Sequence, residues 1–157
     1  MKLLFLILLI FTSSILFSQE KNLEIQIKYK LTRTESFVVG DKPGHILSAV
    51  EGNGTVMLDG SETAELKASF TSDYTKGSGD FLAYYIITAE DKSILTLKAM
   101  GKTINKGSSF SFDANITIEN SSGKFASYKG TGKLKGERKA VIEKGSEVEL
   151  YINLTLN

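Results

Sequence analysis

From Leu23 to the C-terminus, apolar and polar residues alternate, and that pattern decides what the chain can fold into. Leu23, Ile25, Ile27, Tyr29 and Leu31 are separated by Glu24, Gln26, Lys28 and Lys30. The same period of two runs through Ala64, Leu66, Ala68 and Phe70, and again through Phe110, Phe112, Ala114, Ile116 and Ile118. It returns in Val148, Leu150, Ile152, Leu154 and Leu156. Successive side chains of a strand point to opposite faces, so each run lays one face on a core and the other in water. No stretch after residue 20 carries a useful 3.6-residue period, so the expected class is all-β.

Turn residues punctuate the runs. Asp41-Lys42-Pro43-Gly44, Asp59-Gly60-Ser61, Lys76-Gly77-Ser78-Gly79, Glu90-Asp91-Lys92, Asn105-Lys106-Gly107 and Asn120-Ser121-Ser122-Gly123 each separate two of them, as does the stretch 136–145. They divide the chain into strands at about residues 22–39, 45–58, 62–73, 79–89, 93–102, 108–119, 125–135 and 146–157. Short, regular connections predict an up-and-down, eight-stranded antiparallel barrel, with a β-sandwich as the alternative. Closure solves an edge problem as well. The first and last strands are long and apolar, and pairing them leaves neither edge exposed.

Residues 1–19 stand apart from this domain of residues 20–157. They comprise a basic start at Lys2, an apolar run over residues 3–11 and a small residue at Ser18. That is the layout of a secretory signal peptide, with cleavage expected beside Gln19. A retained anchor is the rival reading. The apolar stretch is interrupted by Thr12, Ser13 and Ser14 and falls short of the roughly 20 residues a spanning helix takes. A secreted or periplasmic product, free of the membrane after cleavage, is therefore expected. The Lys-, Asn- and Ile-rich composition fits a bacterial chain.

The chain has no Cys, which excludes disulfides, thiolate catalysis, Cys-ligated zinc and a lipid anchor at the cleavage point. Its one His excludes a two-His metal site, and neither a metal nor a cofactor is expected. Lys+Arg 19 against Asp+Glu 18 gives no electrostatic footprint for nucleic acid.

Residues 115–136 carry a more particular pattern. An apolar strand (Ile116, Ile118) leads to a turn at Gly123, then Phe125 in a Gly-x-Phe step, then Gly130 and Gly132 in Gly-x-Gly. This succession resembles the signature of the allene oxide cyclase barrel-like superfamily, which holds plant dirigent proteins, allene oxide cyclases and small uncharacterised bacterial barrels. The last group is the nearest in appearance. In physical terms Gly123 permits the turn, Phe125 plugs a barrel end, and Gly130 and Gly132 allow tight strand coiling. The resemblance implies an eight-stranded, often oligomeric barrel with a mostly apolar cavity. It also implies two chemistries: dirigent proteins hold phenoxy radicals or quinone methides, and the cyclases fold a fatty-acid epoxide for ring closure. The cyclases set an early-strand Glu beside a Cys, which this chain lacks. No catalytic residue is carried over, and the catalytic set is unknown.

Candidate ligand-binding residues come from the strand faces. The odd-numbered face of the first strand continues past Leu31 as Arg33, Glu35, Phe37 and Val39. On a cavity wall, Glu35 would act as base or anchor and Arg33 as a carboxylate clamp. A bulge near Thr32 or Thr34 would turn both to water instead. Residues 81–87 are apolar on both faces, so Tyr84 and Tyr85 point opposite ways, and Tyr85 is expected inside, where a phenol orients a ligand. Leu82, Tyr84 and Ile86 then face outward with Ile94 or Met100, and self-association through that patch is expected. His45 reads as a loop-flanking surface residue titrating near neutrality. The lysine-rich stretch 124–144 reads as a solvated hairpin. No Walker lysine follows a Gly-rich segment, and no GxSxG occurs.

These readings favour a non-enzymatic barrel holding a small apolar or amphipathic molecule. The alternatives are a cyclase-like or dirigent-like catalyst that steers a reactive substrate, and a structural or interaction protein. An interior filled with apolar side chains would count against a ligand in the cavity.

Overall fold

The computed structural model describes residues 21–157; the segment read as a signal peptide lies outside the described residues. The strands are β1 (Lys21–Val38), β2 (His45–Leu58), β3 (Glu62–Thr75), β4 (Ser78–Thr88), β5 (Ile94–Asn105), β6 (Phe110–Ser121), β7 (Gly130–Arg138) and β8 (Glu147–Leu156). They form a closed barrel in chain order, each antiparallel to the next, and β1 pairs β8 to complete it. The sandwich alternative is thereby excluded. In the closing ladder Ile25 faces Ile152 and Ile27 faces Leu150, so the first and last strands cover each other's edges.

Alternation sends one face of every strand inward. Ile25, Ile27, Leu95, Leu97, Ile116, Leu134, Leu150 and Ile152 are each no more than 2% exposed. Burying a side chain of this size contributes roughly 1.5–3 kcal/mol, and no disulfide shares the task. Glycine makes the curvature possible. A Cβ on Gly132 would meet the Asn153 carbonyl oxygen at 2.0 Å, and one on Gly52 would meet the Tyr29 ring at 2.6 Å.

Strand β7 starts later than the sequence suggests. The chain first makes a 3-10 turn over Gly123–Phe125, held by Ala126 N–H donating to the Gly123 carbonyl and Tyr128 N–H to that of Phe125. Gly123 sits at φ +59, and Phe125, 2% exposed, enters the core there as the expected plug.

The two ends of the barrel differ in chemistry. The end bearing the β2–β3, β4–β5 and β6–β7 connections is filled by Leu23, Leu58, Ala89, Phe125 and Leu156. At the opposite end the inward face gains polar side chains, Thr34, Ser36, Ser48, Ser72, Tyr74, Thr103 and Arg138, beside Ile46 and Phe110. One end is closed by apolar side chains, and the other carries most of the interior's polar groups.

Candidate functional site

Just below the polar end, Tyr29 from β1, Phe70 and Tyr74 from β3, Phe81 and Tyr85 from β4, Phe112 from β6 and Leu150 from β8 surround a void. Its volume is about 10 Å³, room for a single water. The expectation of a mostly apolar cavity is corrected here, because these rings occupy the space it would have needed. Tyr29 and Tyr85 meet edge to face with centroids 6.4 Å apart, and Phe81 and Phe112 do the same at 5.9 Å. The Tyr74 hydroxyl is hydrogen-bonded to Thr103 Oγ1.

Tyr85 points inward as expected and is 2% exposed. Burial raises the pKa of its phenol and that of Tyr29. At neutral pH both keep their protons, so they offer hydrogen bonds and no base.

Arg33 and Glu35 do not enter the interior, which corrects their assignment to a cavity wall and bears out the alternative of a bulge near Thr32 or Thr34. The pairing with β2 slips by one residue between Leu31 and Arg33, leaving Thr32 as a bulge. A one-residue slip exchanges the faces of everything beyond it. Thr34 and Ser36 therefore turn inward, and Ser36 Oγ lies 3.1 Å from Ser48 Oγ. Arg33 and Glu35 point into water, pair with each other, and Arg33 also reaches Glu51 at 3.5 Å. Together with Ala49, Ser69, Thr71, Leu82 and Tyr84 they line a groove on the outer wall. Arg33 already faces two carboxylates, which leaves it poorly suited to clamp a third.

The residue that sequence reasoning missed is Arg138. It was grouped with a solvated lysine-rich stretch, yet it is 1% exposed. The signal was available in parity: Leu134, Gly136 and Arg138 share the inward face of β7. Its Nε–H donates to the Ala140 carbonyl at 2.6 Å, and its guanidinium lies over the rings of Phe110 at 4.8 Å and Phe112 at 5.6 Å. Burial lowers its pKa, while Tyr74 and Tyr29 act in the opposite sense; a guanidinium stays protonated regardless. The 139–146 connection closes over it. That connection is tied to β1 by Gly145 N–H donating to the Leu31 carbonyl at 2.7 Å and Leu31 N–H donating to that of Ser146 at 3.0 Å.

His45 is less exposed than expected, its side chain being 12% accessible. It joins the β1–β2 connection to β3 at the polar end. Nδ1 meets Asp41, and Nε2 lies 2.7 Å from Asp73 Oδ1. Those two carboxylates, Asp41 foremost, raise its pKa.

Two solved structures share this architecture. A conserved protein of unknown function from Rhodopseudomonas palustris superposes with a TM-score of 0.58 at 12% identity, over 87% of this chain and 98% of that one. The pterocarpan synthase dirigent protein GePTS1 superposes with a TM-score of 0.56 at 12% identity, over 92% of this chain and 94% of its own. The fold is the dirigent-like, allene oxide cyclase-like barrel. No protein-family model and no curated protein matches the chain. The likeness therefore carries the dirigent-like fold alone, and the site rests on the geometry of this barrel.

Proposed function

We propose that this dirigent-like barrel is an exported binding protein that seats a small amphipathic molecule at the polar end of its interior, with no catalytic step of its own. One observation supports the reading above all others. Thr34 Oγ1, Ser72 Oγ and Arg138 Nη1 are buried without hydrogen-bond partners among the described residues, and all belong to the same end. Leaving such a group unpaired costs about 1–3 kcal/mol, and folded proteins leave few. A ligand supplying polar atoms at this end would satisfy them. Its apolar part would rest against Tyr29, Tyr85 and Phe112.

The 10 Å³ void does not admit such a molecule as it stands, so binding includes an opening of the 139–146 connection. Two backbone bonds to Leu31 hold that connection to β1. Among the described residues a catalytic role finds no base inside, since Tyr29 and Tyr85 remain protonated. Export rests on the reading of residues 1–19.

Native mass spectrometry of the protein purified from its own organism tests the proposal. A reproducible small-molecule adduct is expected, lost on denaturation, whose re-addition raises Tm. An adduct-free mass, with no thermal shift from the organism's small-molecule extract, would count against it.

A further inference from the structure

Arg138 ends β7 and is turned into the barrel by the alternation of that strand. A buried guanidinium normally meets acceptors that match its charge, a carboxylate or phosphate above all. Here Nε–H is satisfied by the Ala140 carbonyl, a neutral acceptor, while Nη1 is buried with no partner. The rings of Phe110 and Phe112 attract the charge without accepting a hydrogen bond. The adjacent Glu137 is exposed and faces Glu149 across the outer wall. Among the described residues Arg138 has no ion-pair partner; the arginine ion pairs are those of Arg33 with Glu35 and Glu51. A full positive charge thus sits inside the barrel without a counter-charge.

We propose that Arg138 anchors an anion site and that the molecule taken at the polar end is an organic carboxylate. The inference rests on the binding reading above and names the ligand's head group. A carboxylate carries one charge, matching one guanidinium. A phosphate dianion would call for a second cation, and the other inward positions of this end, Thr34, Ser36, Ser48, Ser72, Tyr74 and Thr103, are neutral. The carboxylate would accept from Nη1, and the hydroxyl of Ser72 stands unpaired at the same end to donate to it. The uncharged remainder of the ligand would meet the aromatic side chains around the void.

The test compares 4-phenylbutyrate with 4-phenylbutanamide, the same shape without the charge, by calorimetry and amide-resolved NMR on the purified protein. The acid is expected to bind at least about tenfold more tightly than the amide and to shift the resonances of Arg138 and Ser72. Arg138→Gln, checked for folding by circular dichroism, should bring acid and amide to equal affinity. The acid–amide comparison on the unaltered protein needs no variant and stands if Arg138→Gln fails to fold. Equal affinities on the unaltered protein would overturn the anion site and leave the binding reading standing. A preference for the acid that survives Arg138→Gln would overturn the assignment to Arg138. Failure of both compounds to perturb the polar end at millimolar concentration would overturn the inference and the binding reading together.

Discussion

Arg138 is where single residues weigh most. Removing an unpaired ion from water costs several kcal/mol, and an apolar replacement of similar volume is often neutral or stabilising. Arg138→Met is therefore expected to unfold at the same temperature as the unaltered protein or higher. A Tm lowered by more than a few degrees would assign the side chain to fastening the 139–146 connection. His45 supplies a pH dependence of known sign. Its folded pKa lies above the ordinary value of 6.5, so its ion pairs contribute fully below that value and fade as pH rises through the folded pKa. Asp41, whose pKa is lowered by His45, contributes above the ordinary carboxylate range and is lost as pH falls through its own lowered value. The stability difference between the unaltered protein and His45→Asn should be largest between these limits and vanish in alkali. Because the chain has a single His, one imidazole NMR titration curve measures the shift directly. Tyr85 was legible from alternation alone. Arg33 and Glu35 were legible as two alternatives, cavity wall or bulge to water, and the bulge is the one that holds; its place was open because Thr32 and Thr34 offer it equally. Arg138 was legible by parity and obscured by the lysines around it.

At the scale of elements, the bulge in β1 and the glycines of β7 decide which side chains the interior receives. Deleting Thr32 would leave a continuous ladder with β2 in which Arg33 still faces Glu51 and Glu35 still faces Ala49, so both stay in water. The deletion is therefore expected to fold with Arg33 and Glu35 exposed and to change Tm little more than Thr32→Ser, which keeps the residue count. A Tm lowered far more by the deletion would mean that the bend supplied by the bulge is itself needed to close the barrel. Gly132→Ala places a methyl against the Asn153 carbonyl, and a loss of about 1–3 kcal/mol is expected in chemical denaturation. Most of this level was readable beforehand. Seven of the eight strands fall where turn residues and period two place them, because a strand half in water must alternate. The exception is instructive. Phe125 extends an apparent strand pattern, yet Gly123 in the left-handed region turns the chain, and the ring enters the core from a 3-10 turn.

For the whole molecule, closure and the contrast between the ends govern behaviour. The outer wall carries Tyr84 and Ile86 on β4 and Met100 on the adjoining β5, exposed by 38%, 40% and 58%, and Phe37 on β1, exposed by 66%. We infer self-association through the wall around β4, as the alternation of residues 81–87 suggested. Light scattering should give a dimer or trimer at micromolar concentration and a monomer for Tyr84→Glu; a monomer throughout would remove the inference. The interior was the least legible level. Alternation shows which residues point inward, but whether the rings of Tyr29, Tyr85, Phe81 and Phe112 leave a cavity depends on their packing in three dimensions. The central claim, a small molecule seated at the polar end, is tested most directly by a crystal structure of protein purified from its own organism. The account predicts density for a bound molecule within hydrogen-bond reach of Arg138 Nη1, with the 139–146 connection drawn back. An interior closed as it is here, with Arg138 Nη1 meeting nothing but water, would contradict it.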